Sequence, residues 1–231
     1  MGIYWIILIG TAVASWLVSS NFNNKAKKYS KIPLDNGMTG KEVAEKMLYD
    51  NDIHNVTVQV TTGTLSDNFN PANKTINLSK DVYYGNSVLA ASVAAHETGH
   101  ALQHAHAYGP LSMRSALVPV VTFASKWVTW IILGGLVLMG QAGNVLGRNV
   151  LLAGVALFAM TTVFSFITLP VEINASQRAL KWLNSSGITN SSNHAAAVDS
   201  LKAAAYTYVV AALSSLASLL YYASIAFGRR N

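Results

Sequence analysis

Three residues in one short run have the types and the spacing for metal chemistry. His96, Glu97 and His100 stand in 96-HETGH-100, an H-E-x-x-H pattern. If the run is helical, the two histidines are one turn apart and both imidazoles project from the same face. Two nitrogens at about 2.0–2.1 Å can then share one Zn²⁺. Glu97 points to the side of that pair, where its carboxylate can take the proton of a water molecule, the division of labour of a hydrolase. The competing reading is a surface helix with incidental histidines. It is the weaker one, because a buried His-Glu-His trio in an Ala-rich helix is costly without a metal.

A catalytic zinc site takes a third protein ligand and leaves one position open. The sequence offers three candidates: His104, His106 and Glu172. His104 continues the i+4 row but lies roughly 12 Å along the axis from His96 if the helix continues, too far for one ion. His106 has the third-histidine spacing of H-E-x-x-H-x-x-G-x-x-H, but Gln103 stands where that pattern has its helix-breaking Gly. Glu172 lies in 169-LPVEINASQRAL-180, in a chain with few acids. Two apolar runs separate it from His100, so both lie on the same side of a membrane in either orientation.

The elements that must position these residues can be read around them. Residues 87–105 predict one helix with Ser87 as N-cap, and residues 40–50 predict an amphipathic helix capped by Thr39, with Val43, Met47 and Leu48 inward. The alternating runs 56-VTVQV-60 and 74-KTINLS-79 predict two strands, with the turn-rich 66-SDNFNPAN-73 between them as a loop. The second strand reads equally as an ordinary internal strand or as an edge that pairs with a peptide.

Only 11% of the 231 residues are charged and 52% are hydrophobic, against about 25% charged in soluble domains. Four apolar runs, Ile3 to Ser20, Leu117 to Gly140, Val150 to Leu169 and Ala203 to Phe227, have the length to cross a bilayer. Pro170 is expected to end the third. Lys126, inside the second, reads as a residue snorkelling to the interface. The first run has no basic residue before it but Lys25, Lys27, Lys28 and Lys31 after it. That order suits an uncleaved anchor with the following residues in the cytoplasm rather than a signal peptide. Alternation then places 21–115 and 170–202 inside and 141–149 outside. Arg148, Arg229 and Arg230 fall outside and run against that layout. The absence of cysteine excludes disulfides, thiolate metal sites and a cysteine nucleophile. The net charge of +6 goes to basic loops, and no nucleic-acid-binding signature is present.

The stretch 63–103, with 170-PVEINASQRA-179 and 203-AAAYTYVVAAL-213, resembles the bacterial membrane neutral zinc metallopeptidase family. That family is similar in arrangement to the HtpX-like and CAAX-prenyl-protease metallopeptidases, which carry HExxH, a membrane hairpin and a Glu in an E-x-x-x-D helix. The resemblance implies Glu172 as third ligand. The chain departs from those relatives at Ser176, where they have Asp.

The resulting expectation is a mainly α membrane protein, with about four transmembrane helices and a small α+β zincin-like cytoplasmic catalytic part. Its segments would be an anchor at 1–20, a cytoplasmic HExxH segment at 21–115, a transmembrane hairpin at 116–169, a cytoplasmic segment with the third ligand at 170–202, and a last span and tail at 203–231. It would be a multi-pass bacterial cell-membrane metalloendopeptidase of the HExxH + Glu gluzincin type. Zn²⁺ would sit on His96, His100 and Glu172, with Glu97 as base and a peptide or membrane-protein segment as substrate. Arg178, Tyr208 and His194, with Tyr206, are candidates for transition-state support or for bracing the ligands. The alternatives are a zinc-containing membrane scaffold or adaptor that binds segments without cutting, and a transporter, which the uncharged spans disfavour.

Overall fold

The computed structural model describes residues 2–63, 66–140 and 145–228. In chain order the elements are α1 (Gly2–Tyr29), α2 (Gly40–Tyr49), β1 (Thr57–Thr61), β2 (Asn68–Asn70), β3 (Thr75–Ser79), α3 (Lys80–Tyr83), α4 (Val88–Ala105), α5 (Gly109–Gly140), α6 (Val145–Ser185) and α7 (His194–Phe227). The chain is mainly helical with one small sheet. Helices α1, α5, α6 and α7 are each long and apolar enough to cross a membrane. Part of the turn expected at 141–149, with Arg229 and Arg230, lies outside the described residues.

Two compact units are present. One comprises Leu17–Ser112 and Pro170–Thr207. Here α2 begins with a complete capping box: the Thr39 side chain accepts from the Glu42 backbone N–H, and the Glu42 carboxylate accepts from that of Thr39 at 2.7 Å. Its inner face, Val43, Ala44, Met47 and Leu48, is buried in packing against α4. The sheet has the order β1-β3-β2, with β1 parallel and β2 antiparallel to β3. Ile76 and Leu78 of β3 are fully buried in the same apolar cluster as Met47, Val88 and Leu183. Burying each such side chain contributes about 1.5–3 kcal/mol.

Three expectations are corrected in this unit. β3 is the central strand, so the reading of 74–79 as a free edge fails: β1 takes one side and β2 the other. β2 itself sits inside the stretch expected to be loop; Asn68 and Asn70 flank a single apolar residue, Phe69, and tertiary pairing outweighs their poor strand propensity. Pro170 does not end the third span, because α6 runs through it to Ser185. A proline removes one helical donor, and the buried residues just after it, Val171, Glu172, Ala175 and Ser176, keep the helix in register against its neighbours.

The other unit comprises Met1–Trp16, Met113–Leu169 and Tyr208–Asn231. Its α5 and α6 segments approach closely at glycines. A Cβ added to Gly135 would lie 2.6 Å from the Leu151 nitrogen, and one added to Gly147 would lie 2.4 Å from the Met139 nitrogen. Small residues that let backbones touch replace the missing hydrophobic drive between helices in lipid. Across the same unit Thr162 and Ser215 share a hydroxyl hydrogen bond of 2.7 Å. Large apolar residues such as Trp5, Ile9, Trp127 and Trp130 are exposed, as lipid-facing positions must be. Lys126 is also exposed, beside Thr122 and Phe164.

Candidate metal centre

α4 starts where the sequence places it, with the Ser87 side chain accepting from the Ala90 backbone N–H at 3.2 Å. Its central turn is buried: Glu97, Thr98, Gly99, His100 and Ala101 all lie inside. Gly99 explains how α6 comes so near. A Cβ there would lie 2.6 Å from the Ala175 carbonyl oxygen, so only a glycine allows this separation. On α6 the residues Glu172, Ala175, Ser176, Ala179 and Leu183 are buried at helical spacing, which turns Glu172 towards the two histidines.

The three side chains converge. Glu172 Oε2 lies 3.2 Å from His96 Nε2 and 3.5 Å from His100 Nε2. The two rings are nearly perpendicular, with centroids 4.8 Å apart. Three donors held at about 2.0–2.1 Å around one tetrahedral ion are about 3.3–3.4 Å from each other. Both separations from Glu172 therefore fit a zinc ion, and the donor set, two imidazoles and a carboxylate, is one that zinc takes. Among the described residues, His96, His100 and Glu172 form a group of three that could hold a metal.

The far nitrogens of both rings are braced. His96 Nδ1 is 3.1 Å from Ser176 Oγ. His100 Nδ1 is 3.0 Å from Gln103 Oε1, while Gln103 Nε2 donates to the Val171 carbonyl at 2.8 Å and to Asn174 Oδ1 at 3.0 Å. Such outer hydrogen bonds fix ring orientation and raise ligand basicity. Ser176 thus reaches His96 from the position where the similar membrane metallopeptidases carry Asp.

Burial pushes the Glu97 carboxyl above the ordinary carboxylate range; the His96 and His100 charges oppose this, and Glu172 and Asp67 add to it. Burial disfavours the charged form of His100, but the hydrogen bond to Glu172 and the charges of Glu97 and Glu172 outweigh it and raise its pKa. Two buried carboxyl groups beside two imidazoles make a place where positive charge is stabilised.

The other sequence candidates lie elsewhere. His106 caps the end of α4 and turns Nδ1 onto the Leu102 carbonyl at 2.7 Å. His104 packs beside Phe69 and lines a cavity of about 500 Å³ with His54, Lys74 and Ala101. Arg178 donates from Nε to Asn174 Oδ1 at 2.8 Å. His194 Nδ1 is 2.7 Å from Thr189 Oγ1. Tyr206 is exposed, and Tyr208 belongs to the unit with Met113–Leu169. Sequence reasoning missed Gln103, Asn174, Gly99 and Asp67. Gln103 had one available signal, its i+3 spacing from His100. Asp67 accepts from the Ser79 backbone N–H at 2.7 Å, a contact no local pattern announces.

Comparison with known proteins bears on the same residues. The model of a family described as "Putative neutral zinc metallopeptidase" matches residues 4–227. The chain is similar to the "Putative membrane protease YugP" of Bacillus subtilis (strain 168), with 42% identity over 218 residues that cover 94% of this chain and 92% of that protein. No solved structure matches the chain.

Proposed function

We propose, for a chain that belongs to the neutral zinc metallopeptidase family, that it hydrolyses peptide bonds at the cytoplasmic face of a bacterial membrane. Its zinc would be held by His96, His100 and Glu172. The observation that carries this reading is the convergence of those three side chains beside a buried Glu97.

Bound zinc supplies a Lewis acid that polarises the scissile carbonyl and acidifies water. The rest of the chemistry falls to the chain. Glu97 accepts the proton of the attacking water on a carboxylate oxygen and returns it to the departing amine. Its burial suits both roles, because burial raises the carboxyl pKa and a raised pKa eases return of the proton to the amine. Gln103 and Ser176 hold the imidazoles, and the buried surroundings of α4 exclude bulk water. The α+β unit with His96 and Glu172 is then a zincin-like catalytic part of gluzincin type. The lysines at 25, 27, 28 and 31 support placing 21–115 and 170–202 in the cytoplasm. Peptides or segments of membrane proteins would be the substrates, and the apolar helices would face the lipid bilayer.

The test is purified wild type against Glu97→Gln. The variant should keep stoichiometric zinc, since Glu97 is not a ligand, and lose most peptide cleavage. Cleavage by the variant at the wild-type rate would overturn the mechanism. Absence of cleavage by zinc-loaded wild type across peptide and membrane-protein substrates would favour a zinc-containing scaffold that binds segments without cutting.

A further inference from the structure

We propose that Gln103 is a positioning residue that selects the tautomer of His100, and that Arg178 sets the direction of the hydrogen-bond chain through which it does so. The inference rests on the reading of His100 as a zinc ligand and deepens it.

The argument starts at an atom whose role is fixed. Arg178 Nε carries a proton and has no lone pair to offer. Its 2.8 Å bond to Asn174 therefore identifies the Asn174 atom as the amide oxygen. Gln103 Nε2 lies 3.0 Å from that oxygen and 2.8 Å from the Val171 carbonyl. Both are acceptors, so only the NH₂ end of the Gln103 amide satisfies them. The carbonyl end is thereby turned to His100 Nδ1 at 3.0 Å, and it can only accept. His100 must then carry its proton on Nδ1 when neutral, which leaves the lone pair on Nε2, the atom 3.5 Å from Glu172 Oε2.

The reversed amide fails at two of its three contacts, because it would set its oxygen against the Val171 carbonyl and the Asn174 oxygen; only His100 Nδ1, by changing tautomer, could meet its NH₂. No water rescues that arrangement, because Gln103 is fully buried. His96 has no such selector: Ser176 Oγ can donate or accept. One imidazole is thus preset for the metal and the other adapts. Gln103 also stands where the H-E-x-x-H-x-x-G-x-x-H pattern has its glycine, so the position that would break the helix braces a ligand instead.

The experiment uses the full-length protein in detergent, labelled with ¹⁵N-histidine, and Zn²⁺ alone as the probe. Gln103→Met keeps the volume and removes both ends of the amide. Zn²⁺ affinity, read by competition with a chromophoric chelator, should fall roughly 10–100-fold. In the metal-stripped variant the His100 nitrogen shifts should move from the Nδ1–H tautomer to a mixture. Arg178→Met leaves Gln103 in place but frees Asn174 to turn. It should shift the tautomer in the same direction and weaken Zn²⁺ binding less, and it serves if Gln103→Met does not fold. An unchanged tautomer overturns the proposal even where affinity falls, since that outcome assigns a merely structural role. A shifted tautomer with wild-type affinity overturns it as well. Neither readout needs peptide cleavage, so failure of the peptidase reading is detected separately, in the zinc-loaded wild type.

Discussion

Gly99→Ala tests how tightly the candidate centre depends on backbone contact. The added Cβ would lie 2.6 Å from the Ala175 carbonyl oxygen and 3.2 Å from that residue's Cα and carbonyl carbon. All three are backbone atoms, which cannot swing aside. Restoring an ordinary contact of about 3.4 Å requires α6 to retreat by about 0.8 Å at Ala175. Glu172 is one turn away on the same helix and moves with it. Metal–ligand distances tolerate only about ±0.2 Å, so the carboxylate leaves the range in which it can share an ion with the two imidazoles. Zinc affinity should fall by at least about 100-fold, the upper end of what loss of a bracing residue costs. The fold should largely survive. Alanine gains up to about 1 kcal/mol over glycine inside a helix, which offsets part of the 1–3 kcal/mol that overpacking costs. The assay is chelator competition on the purified protein, with thermal unfolding alongside. Gly109→Ala is the matched control, because a Cβ there meets nothing within 4 Å. Wild-type zinc affinity in Gly99→Ala would refute the claim that this glycine delivers Glu172.

Further outcomes are expected. Glu172→Ala should lose zinc affinity and activity together, by more than about 100-fold. His106→Ala should keep both, because that ring is bonded to the Leu102 carbonyl of its own helix; the reverse result, read by the same competition assay, would move the third ligand to His106. Gly135→Leu should force α5 and α6 apart at Leu151 and cost about 1–3 kcal/mol, seen as a lower unfolding temperature in detergent. Thr39→Ala should cost about 1 kcal/mol through loss of the α2 cap. The backbone hydrogen bond from Thr39 holds the Glu42 carboxyl below its ordinary range, with the Thr39 hydroxyl adding to it. The Glu42 contribution is therefore fully present above the unfolded value of about 4.3 and is lost as pH falls through the folded value. The melting gap between wild type and Glu42→Ala should close in that acidic window.

The elements nearest the chemistry were those the sequence described best. α2 and α4 carry their start signals locally, Thr39 with Glu42 and Ser87 before an Ala-rich run, and the H-E-x-x-H spacing depends on helical periodicity alone. The four apolar runs were visible as composition. What escaped depends on partners distant in the chain. β2 holds two asparagines and a phenylalanine, and it is a strand only because β3 lies beside it. α6 continues through Pro170 because the residues after it are packed, which a local proline rule cannot foresee. Gly99 reads as an unremarkable member of the motif until Ala175 is placed against it. Gln103 looked like a departure from a pattern, and its meaning appears only when Val171 and Asn174, roughly 70 residues on, supply its acceptors.

The candidate ligand set is also ordered in time, since His96 and His100 lie on α4 and Glu172 lies beyond α5 and most of the apolar part of α6. A ribosome adding about 5–20 residues per second needs on the order of 4–14 s to pass from the second histidine to the carboxylate. During that interval the emerging chain presents a two-nitrogen half-site and an idle glutamate. The missing carboxylate is synthesised only after two hydrophobic runs, so the candidate ligand set is complete only once both have been made.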